Sequence, residues 1–201
     1  MTKNALSHFR IVDPILYSLL QKHPSLKSIT REKSKDYFKN LCREIIGQQL
    51  SGRVADVLFE RFEKLFPKRR VTPQRVLATS EAVLRTTGMS WSKARFIRDL
   101  AGQVLTKSLQ LAQLAQLPDQ DVIKELTRVK GIGPWTAEMF LMFTLGREDV
   151  FSYGDLGLRK AIKKLYGFKK DPTVKQMEKI VIKWKPYRTY AARILWKSLD
   201  G

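Results

Sequence analysis

The residues best suited to binding chemistry lie in a short turn between two helical patterns, Gly131-Ile132-Gly133-Pro134. The preceding pattern ends at Val129, and proline is favoured in the first turn of a new helix. The two glycines allow a tight turn and close approach of a partner to the backbone. The N–H groups of the turn and of the next helix then form an anion site. Because no side chain there could read a base, we expect the anion to be a phosphate of a nucleic-acid backbone.

The charge of the chain supports a polyanionic partner. Lys and Arg number 38 against 19 Asp and Glu, which gives a net charge of +19 at pH 7. Such an excess favours nucleic acid, whereas a protein of the membrane surface would concentrate it on one amphipathic helix. The Gly-x-Gly turn alone would fit a plain corner between helices better, and the charge alone would fit a ribosomal component or a merely basic surface. Together they favour a turn that binds phosphate.

The composition disfavours several other classes of protein. The chain has one cysteine, Cys42, and two histidines, so it cannot form an internal disulfide, a closed zinc site or a cluster held by four thiolates. No apolar run approaches the roughly 20 residues that span a bilayer. Residues 1–10 also lack the apolar run of a secretory signal. We therefore expect a soluble, intracellular protein without a membrane partner.

Apolar residues follow helical spacing along almost the whole chain, and the alternation typical of strands is nearly absent. The sequence thus predicts an all-α fold of about ten short helices. The connections at 67–72 and 117–119 are too short for free linkers, so we expect two helical subdomains flanking one DNA-binding cleft. The predicted helices lie at 11–20, 37–46, 54–65, 94–105, 122–129, 135–145, 156–166, 174–184 and 190–199.

Four blocks of the sequence resemble the helix-hairpin-helix (HhH-GPD) superfamily of DNA glycosylases. They are the hairpin within 122–144, the loop DVFSYGDL at 149–156, the block IIGQQLS at 45–51 and the block WKPYRTYAARILW at 184–196. Their order matches that of the superfamily, and the match is best with the branch that contains 3-methyladenine DNA glycosylase II. The resemblance covers about residues 38–196 of a single domain expected over 1–201.

The resemblance implies that Asp155 is the catalytic carboxylate. An isolated Asp before a helical pattern is more often an N-cap, but the two roles are compatible, since a helix N-terminus favours a negatively charged side chain. The implied activity is hydrolysis of the bond between an alkylated purine, of the 3-methyladenine or 7-methylguanine type, and its deoxyribose during base excision repair. The base would be flipped out of the duplex, and Asp155 would assist attack by water. Asp149 and Glu138 are expected to be surface or hairpin residues.

A single position predicts whether the enzyme also cuts the DNA strand. Members of the superfamily that do so use a lysine just after the hairpin, where this chain has Trp135. Lys130 precedes the glycines and is therefore on the other side of the turn. Without an amine at that position no Schiff base to the sugar is expected. The resemblance thus implies a monofunctional glycosylase without lyase activity at abasic sites.

The resemblance also implies which residues bind the base and the DNA. Those expected to line the base pocket are Trp135, Trp196, Met139 and Tyr187. Those expected to contact DNA are Gly131, Ile132, Gly133, Thr136, Gln49 and Ser51. Aromatic residues at helical spacing could equally belong to the core, and Met139 replaces an aromatic wall of the pocket. Gln49 stands where a side chain fills the gap left by the flipped base, although a cap or a buried polar contact would also suit a glutamine.

The remaining expectations concern cofactors, partners and location. No cofactor is required, but the hairpin carbonyls of Thr127, Val129 and Ile132 are expected to hold Na⁺ or K⁺. The expected partner of a monomeric enzyme is double-stranded DNA with alkylated bases, in the bacterial nucleoid or the eukaryotic nucleus. Two alternatives stay open: a non-catalytic protein that binds phosphate through the hairpin, and a glycosylase for uracil or a mismatched base.

Overall fold

A computed structural model of the protein describes residues 3–22 and 36–199. The chain forms two compact units. We call 34–145 the central unit, and 1–33 with 146–201 the terminal unit. Every regular element of the described residues is helical, which confirms the predicted all-α fold. None of these helices is long and apolar enough to cross a membrane.

The central unit contains the hairpin and the Gln49 loop. Its α-helices are α3 (Tyr37–Gly47), α4 (Gly52–Lys64), α5 (Pro73–Ala78), α6 (Glu81–Arg85), α7 (Trp91–Leu105), α8 (Leu111–Leu114), α9 (Asp119–Thr127) and α10 (Pro134–Met139). A 3₁₀ turn at Pro67–Arg69 follows α4, and a π-helical turn at Phe140–Thr144 continues α10.

The terminal unit contains the loop that carries Asp155. Its helices are α1 (Lys3–Val12), α2 (Pro14–Lys22), α11 (Leu156–Leu165), α12 (Val174–Val181), a 3₁₀ turn at Ile182–Trp184, and α13 (Arg188–Lys197). A buried carboxylate stabilises this unit: Asp13 accepts hydrogen bonds from Trp184 Nε1 (2.8 Å) and the Tyr166 hydroxyl (2.6 Å). Burial and this bond to Asp13 raise the pKa of Tyr166 well above its usual value.

Side-chain caps determine where many of these helices begin. The hydroxyls of Thr72, Ser80 and Ser90 each accept a hydrogen bond from the backbone N–H three residues later. Thr173 and Gln176 form a reciprocal capping box at the start of α12. Each cap satisfies a first-turn N–H that has no acceptor within its own helix.

The helix predicted at 11–20 is wrong in one respect, because the chain forms two helices there. α1 ends at Val12 and Pro14 begins α2, since proline lacks the N–H that a continuous helix needs. Asp13 caps the new helix through the Leu16 N–H (3.0 Å). The prediction also missed α5, α6 and α8, which have six residues or fewer and therefore show little periodicity.

Candidate active site

Asp155 is the N-cap of α11, and its carboxylate is held by two donors. Its Oδ1 accepts hydrogen bonds from the Leu158 backbone N–H (2.7 Å) and from Trp196 Nε1 (2.9 Å). The residue is only 9% exposed. The cap role and the expected catalytic role therefore fall on one side chain, whose position is set by a helix end and an indole.

Gly157 leaves the space through which Trp196 reaches Asp155. A Cβ at Gly157 would lie 3.1 Å from Asp155 Oδ1, 3.2 Å from Trp196 Cδ1 and 3.3 Å from Trp196 Nε1. These contacts are too short for the present side-chain positions. Sequence reasoning missed Gly157, although a glycine two residues after a candidate catalytic Asp was the available signal.

An ion pair with α13 fixes the start of the Asp155 loop. Arg188 Nε donates to Asp149 Oδ1 (2.6 Å), and its Nη2 donates to Oδ2 (3.0 Å) and to the Asp149 carbonyl (2.7 Å). The next residue of α13, Thr189, accepts from the Val150 N–H (3.1 Å) and donates to the Arg147 carbonyl (2.7 Å). Asp149 is thus more than a surface residue, because it anchors the loop that ends in Asp155.

The terminal unit also contains two of the aromatic residues predicted for the base pocket. Trp196 is half-buried and contacts Asp155 through its indole N–H. Tyr187 is half-buried as well, and its ring meets His8 and Tyr190 at centroid distances of 5.4 Å and 6.2 Å. Their contact with a base stays a prediction.

The hairpin of the central unit is a turn between two helices, and the helix before it ends earlier than the predicted Val129. α9 ends at Thr127, the Ile132 N–H donates to the Val129 carbonyl (3.1 Å), and α10 begins at Pro134. Gly131 has a φ of +84°, and a Cβ there would lie 2.1–2.7 Å from ring atoms of Phe96. Only glycine fits this position without displacing the ring.

Gly133 differs from Gly131 in its surroundings. It is exposed, and a Cβ there would meet nothing within 4 Å. Among the described residues, 3–22 and 36–199, nothing therefore requires a glycine here, whereas close approach of an external partner to the backbone would. The contact between the turn and a phosphate stays a prediction.

The other predicted residues of α10 differ in exposure. Trp135 is 37% exposed, whereas Met139, one turn later, is only 4% exposed. Thr136 is buried, and its hydroxyl accepts a hydrogen bond from Gln48 Nε2 (3.0 Å). If Thr136 contacts DNA as predicted, the contact would therefore use its backbone N–H, which lies in the first turn of the helix.

The loop between α3 and α4 contains the other two predicted DNA-contacting residues, both exposed. Gln49 has a φ of +59°, in the left-handed region that non-glycine residues seldom occupy. Ser51 precedes α4 but its side chain makes no capping bond. Gln49 is exposed, so the alternative of a buried polar contact for its side chain finds no support in the geometry.

The hairpin carbonyls expected to hold a monovalent cation have suitable chemistry. Thr127 is the last residue of α9, where carbonyls lack donors from the same helix. The Val129 carbonyl accepts only a turn bond from Ile132 among the backbone bonds of this segment, and a carbonyl oxygen has a second lone pair.

Comparison with known proteins identifies the family. The sequence profile of the HhH-GPD superfamily of base excision DNA repair proteins matches residues 42–186. The chain belongs to this superfamily, which confirms the resemblance seen in its four sequence blocks.

Individual relatives agree with this assignment. DNA-3-methyladenine glycosylase 1 of Schizosaccharomyces pombe is 31% identical over 83% of this chain and 74% of its own length. The Bacillus subtilis protein YfjP is 33% identical over 78% of this chain, and the matched region covers only 56% of the length of YfjP.

The solved structure of the S. pombe 3-methyladenine DNA glycosylase Mag1 in complex with abasic DNA superimposes with a TM-score of 0.89 at 28% identity, covering 99% of this chain and 98% of that one. The 3-methyladenine DNA glycosylase of Archaeoglobus fulgidus gives a TM-score of 0.78 at 26% identity, covering 96% and 68% of the two chains.

Proposed function

We propose that the protein is a monofunctional DNA glycosylase that releases alkylated purines from double-stranded DNA. The observation that carries the proposal is the Asp155 carboxylate, held at the start of α11 by the Leu158 N–H and the Trp196 indole. The similarity to 3-methyladenine DNA glycosylases supports the choice of substrate. We propose further that it acts as a monomer, in the nucleoid of a bacterium or the nucleus of a eukaryote.

Hydrolysis of this glycosidic bond requires little from the protein beyond one fixed negative charge near the sugar. A purine alkylated at N3 or N7 carries positive charge, so it leaves readily with the electron pair of the bond to C1′. The sugar then becomes oxocarbenium-like, as in other glycoside hydrolyses. Asp155 stabilises this cation and orients the water whose oxygen bonds to C1′, accepting its proton. A second carboxylate is not needed, which fits the role of Asp149 as a partner of Arg188.

DNA would be bound chiefly through backbone groups and positive charge. The N–H groups of the hairpin turn would hold a phosphate, and the net charge of +19 adds long-range attraction. Gln49 would fill the gap left by the flipped base, and its exposure suits that role. A cation at the Thr127, Val129 and Ile132 carbonyls would add positive charge beside the same phosphate. The N–H groups of the turn would still determine where that phosphate binds.

The proposed absence of lyase activity rests on the residue after the hairpin. Trp135 occupies the second position of α10 and offers no amine. Its exposed indole can instead stack on a cationic base, an interaction worth ~0.5–2 kcal/mol. Water, and not a lysine, would therefore attack the sugar.

The decisive experiment compares the wild type with Asp155→Asn in the release of labelled bases from methylated duplex DNA. We expect 3-methyladenine and 7-methylguanine from the wild type and a loss of at least about 100-fold in the variant. Asp171→Asn is the matched control, because Asp171 is an exposed acid of the same unit, paired only with Lys163 among the ion pairs described.

Two outcomes would overturn the proposal. Equal release by Asp155→Asn and the wild type would assign catalysis to another residue, and no release by any form would favour a protein that only binds DNA. Borohydride added to the same reactions should trap no protein on the DNA, and a covalent adduct would contradict the monofunctional assignment.

A further inference from the structure

The backbone at Gln49 is held in an unusual turn. The Leu50 N–H donates to the Gly47 carbonyl (3.1 Å), which closes a four-residue turn from Gly47 to Leu50. Gln48 has φ −52° and ψ 132°, and Gln49 has a φ of +59°. These angles are those of a type II turn, whose third position favours glycine or asparagine. A glutamine there is strained, so other contacts must hold the turn in this form.

Lys93 supplies such a contact. Its Nζ donates to the Gln48 carbonyl (2.7 Å) and to the Ile46 carbonyl (2.9 Å). The Gln48 carbonyl belongs to the central peptide of the turn, and rotation of that peptide by about 180° distinguishes a type II from a type I turn. Because Lys93 binds this oxygen, it opposes the rotation that would return Gln49 to an ordinary φ. Lys93 is itself fixed near the N-terminus of α7, where its backbone N–H bonds to the Ser90 hydroxyl (3.3 Å).

The side chain of Gln48 connects the same turn to the hairpin. Its Nε2 donates to the Gly131 carbonyl (2.7 Å) and to Thr136 Oγ1 (3.0 Å). Gly131 lies in the hairpin turn, and Thr136 is in the first turn of α10. One side-chain amide therefore joins the Gln49 turn to both sides of the segment that would bind phosphate. Lys93 holds the main chain of Gln48 while its side chain holds the hairpin.

We propose that Lys93 and Gln48 are positioning residues that hold Gln49 in its left-handed conformation, in a fixed position relative to the hairpin, so that its side chain can enter the duplex. The inference rests on the proposed function, because it assigns a role within DNA binding by the same enzyme. Hydrogen bonds among three elements then keep Gln49 in its strained backbone conformation. These elements are the end of α3, the start of α7 and the hairpin.

The test uses a duplex with a tetrahydrofuran abasic site and 2-aminopurine opposite it, so that no catalysis is needed. Saturating wild-type protein should change the 2-aminopurine fluorescence, and Gln49→Ala should abolish most of that change. Lys93→Met and Gln48→Met, which keep side-chain volume but lose the donors, should resemble Gln49→Ala although Gln49 is present. Lys64→Met and Gln113→Ala, at exposed positions of the same unit, should resemble the wild type.

Lys93→Met and Gln48→Met should also lower kcat for base release by about 10- to 100-fold, as expected when a group is misplaced by about 1 Å. The double variant Lys93→Met/Gln48→Met should be little worse than either single variant, because both changes release one turn. Thermal unfolding identifies any variant that has lost its fold. Gln48→Asn, which only shortens the reach to the hairpin, then replaces Gln48→Met. Lys93→Gln, which is polar but shorter and uncharged, replaces Lys93→Met.

A full wild-type fluorescence change in folded Lys93 and Gln48 variants would overturn the inference. It would also fall if the wild type itself produced no change, because Gln49 would then not enter the duplex. If the wild type changed the fluorescence but released no base, the proposed function would be contradicted. The present inference would still be supported if the Lys93 and Gln48 variants lost that change. The two failures are therefore distinguishable.

Discussion

The loop that carries Asp155 and the loop that carries Gln49 both lead into a helix, but they are held in different ways. Asp155 has an ordinary extended backbone, and its carboxylate accepts a cap bond from three residues on and a second bond from the Trp196 indole of α13. Gln49 has a left-handed backbone, and its turn is held by Lys93 and by the attachment of Gln48 to Gly131. The proposed catalytic group thus combines a local cap with one distant donor, 41 positions away. The turn at Gln49 depends on bonds that Gln48 makes with residues 45 and 83 positions away.

The largest expected effect lies at the hairpin, where two glycines can be compared directly. Gly131→Ala places a Cβ within 2.1–2.7 Å of the Phe96 ring at a φ of +84°. We expect the free energy of unfolding to fall by about 2–5 kcal/mol, from overpacking and backbone strain together. Chemical denaturation of the purified variant measures the loss.

Gly133→Ala is the matched control, because a Cβ there meets nothing within 4 Å. Its stability should stay within about 1 kcal/mol of the wild type, while its affinity for duplex DNA should fall because the methyl group separates the backbone from a phosphate. If Gly133→Ala bound DNA normally, the exposed glycine would have no role at the interface. Equal stability losses in both variants would remove the distinction between them.

The next effect concerns the donor that reaches Asp155 from α13. Trp196→Phe keeps an aromatic ring but loses the indole N–H that bonds to Oδ1 (2.9 Å). Because hydrogen bonds to charged groups contribute about 1.5–3 kcal/mol, we expect base release to slow by about 10- to 100-fold. Single-turnover kinetics on methylated duplex DNA measures the change.

Gly157→Ala should reproduce this effect without changing the indole. Its Cβ would push against Trp196 and Asp155, whereas a Cβ at Gly154, in the loop before α11, meets nothing within 4 Å, so Gly154→Ala should leave the rate unchanged. Full activity of Trp196→Phe would mean that the ring, and not its N–H, is what the reaction needs. A slow Gly154→Ala would point to loop flexibility in place of the Trp196 contact.

The contrast between the loops explains what the sequence could predict. The helical fold, the hairpin and Asp155 at a helix start all leave local signals, such as apolar periodicity and a proline after two glycines. Lys93 leaves none, because a lysine in the first turn of a helix usually faces solvent. The role of Gly131 against Phe96 and that of Gly157 against Trp196 likewise require contacts between distant residues. Short helices such as α8 were missed because four residues cannot show a helical period.

The smallest expected effect is a pH dependence in the helix that leads to the Gln49 turn. Burial raises the pKa of Glu44, on α3, to about 7, and the charge of Arg43 only partly opposes it. The folded-state pKa thus exceeds the unfolded value of 4.5. The neutral carboxyl suits the folded state, so this contribution is fully present below about pH 4.5 and is lost as the pH rises through 7. Glu44→Gln should therefore be more stable than the wild type at pH 8, by about 1–2 kcal/mol.

Urea unfolding at pH 5 and pH 8 tests this prediction, with Glu60→Gln as the control because Glu60 is exposed and paired with Lys64. The gain from Glu44→Gln should shrink towards pH 5, where the wild-type carboxyl is already neutral in the folded protein, while Glu60→Gln should show no gain at pH 8. A constant gain across the range would show that Glu44 does not titrate between these values. If base release by Glu44→Gln also stayed at the wild-type level, the charge on α3 would affect stability alone, and the position of Gln49 would depend on Lys93 and Gln48.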